Sequence, residues 1–244
     1  MWRNLKKTKP MPGKPSFIAR LTDLVAPRRC PVCGKRLQVQ EPVVCASCNM
    51  RLPRTYYWRD PRDNEMARLF WGQLPIERAA ALIFYAPKAE PTHFIVRMKY
   101  ANHPEIGEQM GHMAATEMMA DGFFQGIDCL VPVPLTPRRE RERGYNQSLM
   151  IAQGISQATG LSIVRNAVRR RHFDGSQTRK NKWERLENVA EAFELRSPKR
   201  IAGKHILLID DVVTSGATAI ACGQQLAKAG NVTISILSLG FTKG

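Results

Sequence analysis

Two adjacent carboxylates, Asp210 and Asp211, close the apolar run Ile206-Leu207-Leu208-Ile209 and are followed by Val212-Val213-Thr214-Ser215-Gly216-Ala217-Thr218. The run reads as a strand buried on both faces, as in a parallel sheet. It places the carboxylates at the strand's carboxyl end, where open α/β sheets bind their ligands. Thr214 to Thr218 offers backbone N–H groups and hydroxyls where a helical pattern begins, a ready anion site. One crevice then presents acceptors for hydroxyl groups beside donors for a phosphate, which is the shape of a ribose 5-phosphate. An ordinary strand–turn–helix capped by Thr or Ser would use the same turn. Charges at a buried strand end, however, are costly without a ligand or cation.

Four cysteines carry a second chemistry. Cys30-Pro31-Val32-Cys33-Gly34 and Cys45-Ala46-Ser47-Cys48 form two CxxC pairs separated by 11 residues. Each pair can place two thiolates on one metal, and Gly34 permits the tight knuckle turn. Two knuckles supply the sulfurs of a tetrahedral structural Zn²⁺ site with no open position. A disulfide pairing or a redox-active CxxC competes, but a reducing compartment argues against disulfides and two close copies favour a metal. So short a segment buries little core, so the metal is expected to fold it. Residues 37–44 suit the connecting hairpin. Cys129 and Cys222 lie on apolar patterns and read as core thiols.

A third constellation is basic. Val131-Pro132-Val133-Pro134-Leu135-Thr136-Pro137-Arg138-Arg139 leaves a strand, and Arg141-Glu142-Arg143-Gly144-Tyr145-Asn146-Gln147 leads into a helix. Three prolines stiffen this turn, and its arginines are bidentate donors suited to an anion. Arginines at a helix N-terminus are unfavourable for the helix dipole, which again points to an anion.

Residues 206–218 resemble the phosphoribosyl-diphosphate (PRPP) motif of the type I phosphoribosyltransferases at every position. The resemblance implies that Asp210 and Asp211 hold the ribose hydroxyls, and that Thr214, Ser215, Gly216, Ala217 and Thr218 cradle the 5-phosphate. The Pro-Val-Pro-Leu and Arg-x-Arg-Gly-Tyr-Asn-Gln strings narrow it. With the four cysteines ahead and Met98-Lys99-Tyr100 between, roughly residues 28–240 look like the ComF/GntX family. That implies a type I phosphoribosyltransferase fold, a mainly parallel doubly wound α/β sheet, with a small N-terminal zinc-ribbon-like module. It implies Thr136, Arg139 and Arg143 on the diphosphate, Mg²⁺ bound with PRPP, and a loop over the site bearing Ser176, Gln177, Lys180 and Lys182. The family often has Thr where this chain has Ser176, so the hydroxyl is retained. The implied reaction moves the phosphoribosyl group to a nitrogen acceptor, unidentified by the sequence, and releases diphosphate. The resemblance also implies a link to natural competence and DNA uptake, with single-stranded DNA and competence proteins as partners. A non-catalytic PRPP-sensing or single-strand-binding protein is the alternative.

The elements that must position these groups follow from periodicity. Strands are expected over 79–85, 128–133, 161–168, 190–195, 206–209 and 232–239, and helices over 91–100, 106–119, 147–159 and 217–229, with a polar loop over 172–184. Their alternation implies a parallel sheet with helices on both faces. The organisation reads as a basic tail (1–27), the four-cysteine module (28–60), a linker punctuated by Pro61, Gly72 and Pro75 (61–75) and the main domain (76–244). Net charge is +16, and residues 1–60 alone carry 13 basic and 3 acidic residues, which favours polyanionic partners there. Trp2, Tyr56, Tyr57 and Trp58 either stack on a single strand or pack the fold. No apolar run approaches the roughly 20 residues of a membrane span, and the basic N-terminus lacks the apolar core of a signal peptide. No membrane insertion and a cytoplasmic location are expected.

Overall fold

The computed structural model describes residues 27–38, 40–100, 102–171 and 192–243. The chain divides into two compact units, residues 1–50 and 51–244.

In the first unit an antiparallel bridge joins Arg29 and Arg36 across a tight turn. The turn needs Gly34, whose φ of 75° lies in the left-handed region. Its backbone is closed by Gly34 N–H donating to Cys30 C=O and Cys30 N–H donating to Lys35 C=O, both at 2.8 Å. Helix α1 (Ala46–Arg51) follows Cys45 directly. The Glu41 carboxylate accepts from the N–H groups of Gln38 at 2.8 Å and Ala46 at 2.7 Å, tying the hairpin to the helix start. Those two N–H groups hold its carboxyl below the usual range.

The second unit is a parallel five-stranded sheet wrapped by helices. Its strands are β1 (Arg78–Phe84), β2 (Cys129–Pro132), β3 (Ser162–Ile163), β6 (His205–Val213) and β7 (Thr233–Phe241), in the order β1-β7-β6-β2-β3. Every neighbouring pair is parallel. A separate antiparallel pair joins β4 (Val168–Arg170) to β5 (Phe193–Leu195). The α/β architecture is the expected one. The expected strand over 161–168 divides instead, because the polar turn at Arg165-Asn166 interrupts the apolar run and sends Val168 onward into the hairpin.

Residues 61–75, read from the sequence as a linker, contain the short helix α2 (Glu65–Arg68), capped by Asn64 Oδ1 accepting from Ala67 N–H at 2.9 Å. They bury Met66, Phe70 and Leu74 against one face of the sheet, while Trp71 stays exposed. Residues ahead of them add a sheet-edge contact through an antiparallel bridge from Arg54 to Ile83. Trp58 is buried, with Nε1 donating to Asp121 Oδ2 at 2.9 Å, and Tyr57 meets Phe84 edge-on. These two aromatics are spent on packing. Trp2 lies outside the described residues.

Side chains alternate across the strands. Cys129, Val131, Ile206, Leu208, Ile234 and Ile236 pack with Ala219, Cys222 and Leu226 of helix α7 (Ala217–Ala227). The opposite residues lie beneath helices α4 (Pro104–Met119) and α6 (Gln147–Thr159). These two helices cross through glycine. A Cβ on Gly154 would stand 2.7 Å from His112 N and closer still to Glu108 O, and one on Gly111 would press on Ile151 O. The close approach seats the middle of α6 against α4.

Candidate PRPP and anion site

The motif strand is longer than expected: β6 runs through the carboxylates to Val213. Its two neighbours do not run equally far. β7 accompanies it to the register pair Val213–Phe241, whereas β2 stops at Pro132–Ile209. Beyond Ile209 one edge of β6 therefore loses its partner strand, and Asp210 and Asp211 stand where the sheet opens.

Asp210 is 8% exposed. Its Oδ1 accepts from Ser148 Oγ at 3.2 Å and from the Asp211 backbone N–H at 2.9 Å. Burial, followed by the neighbouring Asp211 charge, pushes its carboxyl up to about 7, against the pull of those hydrogen bonds and of Lys99. Asp211 Oδ2 pairs with Lys99 Nζ at 3.2 Å, with side-chain exposures of 14% and 20%. The adjacent carboxylates thus have different partners: one holds a hydroxyl, the other an ammonium.

Lys99 comes from the last turn of helix α3 (Phe94–Tyr100), whose Phe94, Ile95 and Met98 are buried. Ser148 lies in the first turn of α6. Asn146 caps that helix, its Oδ1 accepting from Ser148 N–H at 3.0 Å and Leu149 N–H at 3.4 Å, and its Nδ2 donates to Val133 C=O at 3.0 Å. One side chain therefore ties the helix start to the end of β2.

After β6 the chain bends through Thr214 and Ser215, both exposed, into Gly216, the N-cap of α7. Gly216 has a φ of 77°, and a Cβ there would meet the Phe70 ring at 3.4 Å. Ala217 and Thr218 are half-buried in the first turn of α7. The first N–H groups of a helix have no intrahelical acceptor, so this turn presents donors and partial positive charge.

The basic turn corrects one expectation. The arginines do not crowd the N-terminus of the following helix; residues Pro137–Arg143 form a helix of their own, α5. Arg141 and Arg143 occupy its last turn, where the dipole favours cations, and Gly144 ends it at a φ of 79°. The helix dipole therefore calls for no anion at these arginines. Thr136 Oγ1 accepts from Arg139 N–H at 3.3 Å and caps α5. Arg143 donates to Gln147 Oε1 at 2.7 Å, and its guanidinium lies 5.7 Å from the centre of the Tyr100 ring. Arg139 and Arg143 line a cavity of about 620 Å³ with Lys99, Tyr100 and Asn102. Arginines and the partner of Asp211 therefore share one space. Ser176, Gln177, Lys180 and Lys182 lie outside the described residues.

Sequence reasoning misses Lys99 and Ser148. Met98-Lys99-Tyr100 is visible as a string, but nothing in its spacing ties it to a strand more than a hundred residues later. Ser148 follows an Asn-Gln pair that reads as a helix start, with no sign that its hydroxyl faces a carboxylate.

In the first unit the ligand atoms of Cys30, Cys33, Cys45 and Cys48 lie within 4.8 Å of one another. Cys33 Sγ and Cys45 Sγ are 3.7 Å apart. A tetrahedron with metal–sulfur distances of about 2.3 Å has an edge of about 3.8 Å, so the donor set fits such an ion. Burial opposes ionisation of Cys45, but hydrogen bonds from the Ser47 hydroxyl and Cys48 outweigh it and bring the thiol down to about 6. Burial pushes Cys30 up.

No family model matches the chain. It is 34% identical over 211 residues to the competence protein ComFC of Bacillus subtilis, covering 84% of this chain and 75% of that protein. It is 30% identical over 155 residues to competence protein F of Haemophilus influenzae, covering 62% and 68%. It is 27% identical over 213 residues to the DNA utilization protein YhgH of Escherichia coli K12, covering 86% and 88%. Among solved structures it is similar to the adenine phosphoribosyltransferase of Saccharomyces cerevisiae, at 14% identity over 57% of this chain and 72% of that one, with a TM-score of 0.33.

Proposed function

The chain belongs to the ComF family, and from that premise and the crevice at the end of β6 we propose that it binds PRPP with Mg²⁺ and transfers the phosphoribosyl group to a nitrogen acceptor. One observation carries this reading. Paired carboxylates stand where β6 loses β2, directly before a turn that leads through a left-handed glycine into a helix N-terminus. Asp210 and Asp211 take the ribose hydroxyls, and Thr214, Ser215, Gly216, Ala217 and Thr218 take the 5-phosphate. Arg139 and Arg143 take the diphosphate, whose negative charge grows as its bond to C1 of the sugar breaks. Thr136 borders them, its hydroxyl accepting in the cap of α5 while its O–H stays available to donate.

Lys99 changes partner on binding, from Asp211 to the incoming phosphate oxygens, which frees the Asp211 carboxylate for the ribose. Asp210 gives up its proton as ribose hydroxyls and cationic charge arrive. Mg²⁺, when bound with the substrate, supplies Lewis-acid polarisation of the diphosphate. The sugar develops oxocarbenium character, and the acceptor nitrogen attacks C1 as diphosphate departs. Zn²⁺ on Cys30, Cys33, Cys45 and Cys48 is structural, since four thiolates leave no position for substrate. The protein works in the cytoplasm.

The names of the relatives and the net charge of +16 favour a second reading, in which the chain senses PRPP and binds single-stranded DNA during competence. Diphosphate release from PRPP, measured across a panel of nitrogen bases and amines, separates the two. The transferase reading expects acceptor-dependent release that Asp211→Asn lowers at least about a hundredfold. No release with any acceptor, alongside salt-sensitive single-strand binding, supports the second reading.

A further inference from the structure

Tyr145, Asn146 and Gln147 follow one another between α5 and the first turn of α6, and each side chain binds a different neighbour. Asn146 caps α6 and bonds the end of β2. Tyr145 and Gln147 engage α3 and α5 instead.

Tyr145 is half-buried, and its hydroxyl donates to Met98 C=O. Met98 lies in the last turn of α3, where carbonyls have no intrahelical donor. The phenol therefore satisfies a carbonyl that the helix leaves open, at the residue directly before Lys99.

Gln147 is 1% exposed, so both ends of its amide need protein partners. Its Oε1 accepts from Arg143 Nη1 at 2.7 Å, and its Nε2 donates to Tyr145 C=O at 3.3 Å. The same Arg143 guanidinium lies 5.7 Å from the centre of the Tyr100 ring, a cation–π contact.

These contacts close a ring. It runs from Met98 C=O to the Tyr145 hydroxyl, from Tyr145 C=O to Gln147, from Gln147 to Arg143 and from Arg143 to Tyr100. Lys99 sits between the two anchored positions, Met98 and Tyr100, and its ammonium meets Asp211 Oδ2 at 3.2 Å. Lys99, Tyr100 and Arg143 line the cavity of about 620 Å³, and Tyr145 and Gln147 are absent from its lining. Two cations thus present charge to the cavity, while two residues behind them hold them in place.

Lysine and arginine side chains are long, and ordering one at a ligand costs rotamer entropy, about two- to tenfold in affinity each. A cation ordered beforehand spares the ligand that cost. Stabilising a leaving group likewise needs donors already in position.

We propose that Tyr145 and Gln147 are positioning residues, which hold Lys99 and Arg143 at a set separation for the diphosphate of the incoming substrate. That role rests on PRPP as the substrate, whereas the ring stands without it. Because the ring is closed, opening it at either point frees the same pair of cations.

Tyr145→Phe removes only the hydroxyl, and Gln147→Met removes the amide while keeping the side-chain length. Acylation of the full chain with succinimidyl acetate, followed residue by residue by mass spectrometry, reads the hold on Lys99 without any ligand. The exposed Lys199 is the internal control. Each variant should raise the Lys99 rate at least about threefold and leave Lys199 unchanged. The double variant should exceed the larger single effect by less than about twofold, since contacts within one network are not additive. Calorimetry with PRPP and Mg²⁺ should show affinity falling about two- to tenfold in each variant, with the same failure to multiply. Side chains that only stabilise the fold would lower the melting temperature and leave the ratio of Lys99 to Lys199 rates unmoved. A Lys99 rate unchanged in both variants, equal acceleration of Lys199, effects that multiply, or PRPP affinity that neither variant weakens would each overturn the proposal. Absence of PRPP binding by the wild type would overturn the substrate role together with the reading it rests on, and the acylation rates separate that failure from failure of the ring.

Discussion

Replacing Asp210 with asparagine should change how stability depends on pH, and the structure sets the sign and size. Asp210 is buried beside Asp211, and its carboxyl is raised from 3.8 to about 7 in the folded protein. The folded state therefore binds a proton that the unfolded state has already lost. Below the unfolded value the group carries no penalty. As pH rises through the unfolded value toward the folded one, stability falls, and it levels off above. Between about pH 5 and about pH 8 this group alone should cost the wild type about 3 kcal/mol of unfolding free energy. The substituted side chain cannot ionise, yet its amide oxygen can still accept from Ser148 Oγ and the Asp211 N–H. Titrating groups outside this pair are common to both proteins, so the difference between their curves reads Asp210 together with its coupling to Asp211. Chemical denaturation of both proteins at several pH values reads it directly. Asp210→Asn should gain on the wild type by about 3 kcal/mol across that window. Parallel curves would refute the reasoning, since they would mean that Asp210 ionises as freely folded as unfolded.

Three further outcomes follow from the same contacts. Lys99→Met leaves the Asp211 carboxylate mostly buried without its ammonium, which should cost about 2 kcal/mol in urea unfolding at neutral pH, discounted for its partial exposure. Gly154→Val forces side-chain atoms against Glu108 and His112 where α6 crosses α4, and should cost at least about 2 kcal/mol, read as a fall in melting temperature. A chelator strong enough to strip the four cysteines should release one equivalent of Zn²⁺ and abolish amide-exchange protection in residues 27–50, while β6 and β7 keep theirs.

Much of this arrangement was legible in the residues. Apolar runs between turn signals gave β1, β2, β6 and β7, and α6 matches its expected bounds at both ends because Asn146 and Gly160 punctuate it. The cysteine spacing anticipated the thiol cluster. Other features depend on partners that local patterns do not encode. Leu74 looks like a linker residue until the sheet face it covers exists. The arginines of α5 look misplaced until Gly144 is seen to end their helix. Lys99 reaches Asp211, and Ser148 reaches Asp210, only because α3 and α6 are docked on one sheet. The raised carboxyl of Asp210 was foreseeable only in kind, since its size depends on burial and on Asp211.

The most direct test of the central claim is calorimetric titration of the zinc-loaded chain with PRPP and Mg²⁺, run in two buffers of different ionisation enthalpy. The account predicts one-site micromolar binding, lost in Asp211→Asn, with proton release near pH 6 as Asp210 ionises on meeting the ligand. Absence of PRPP binding by the wild type, or binding that Asp211→Asn leaves untouched, would contradict it.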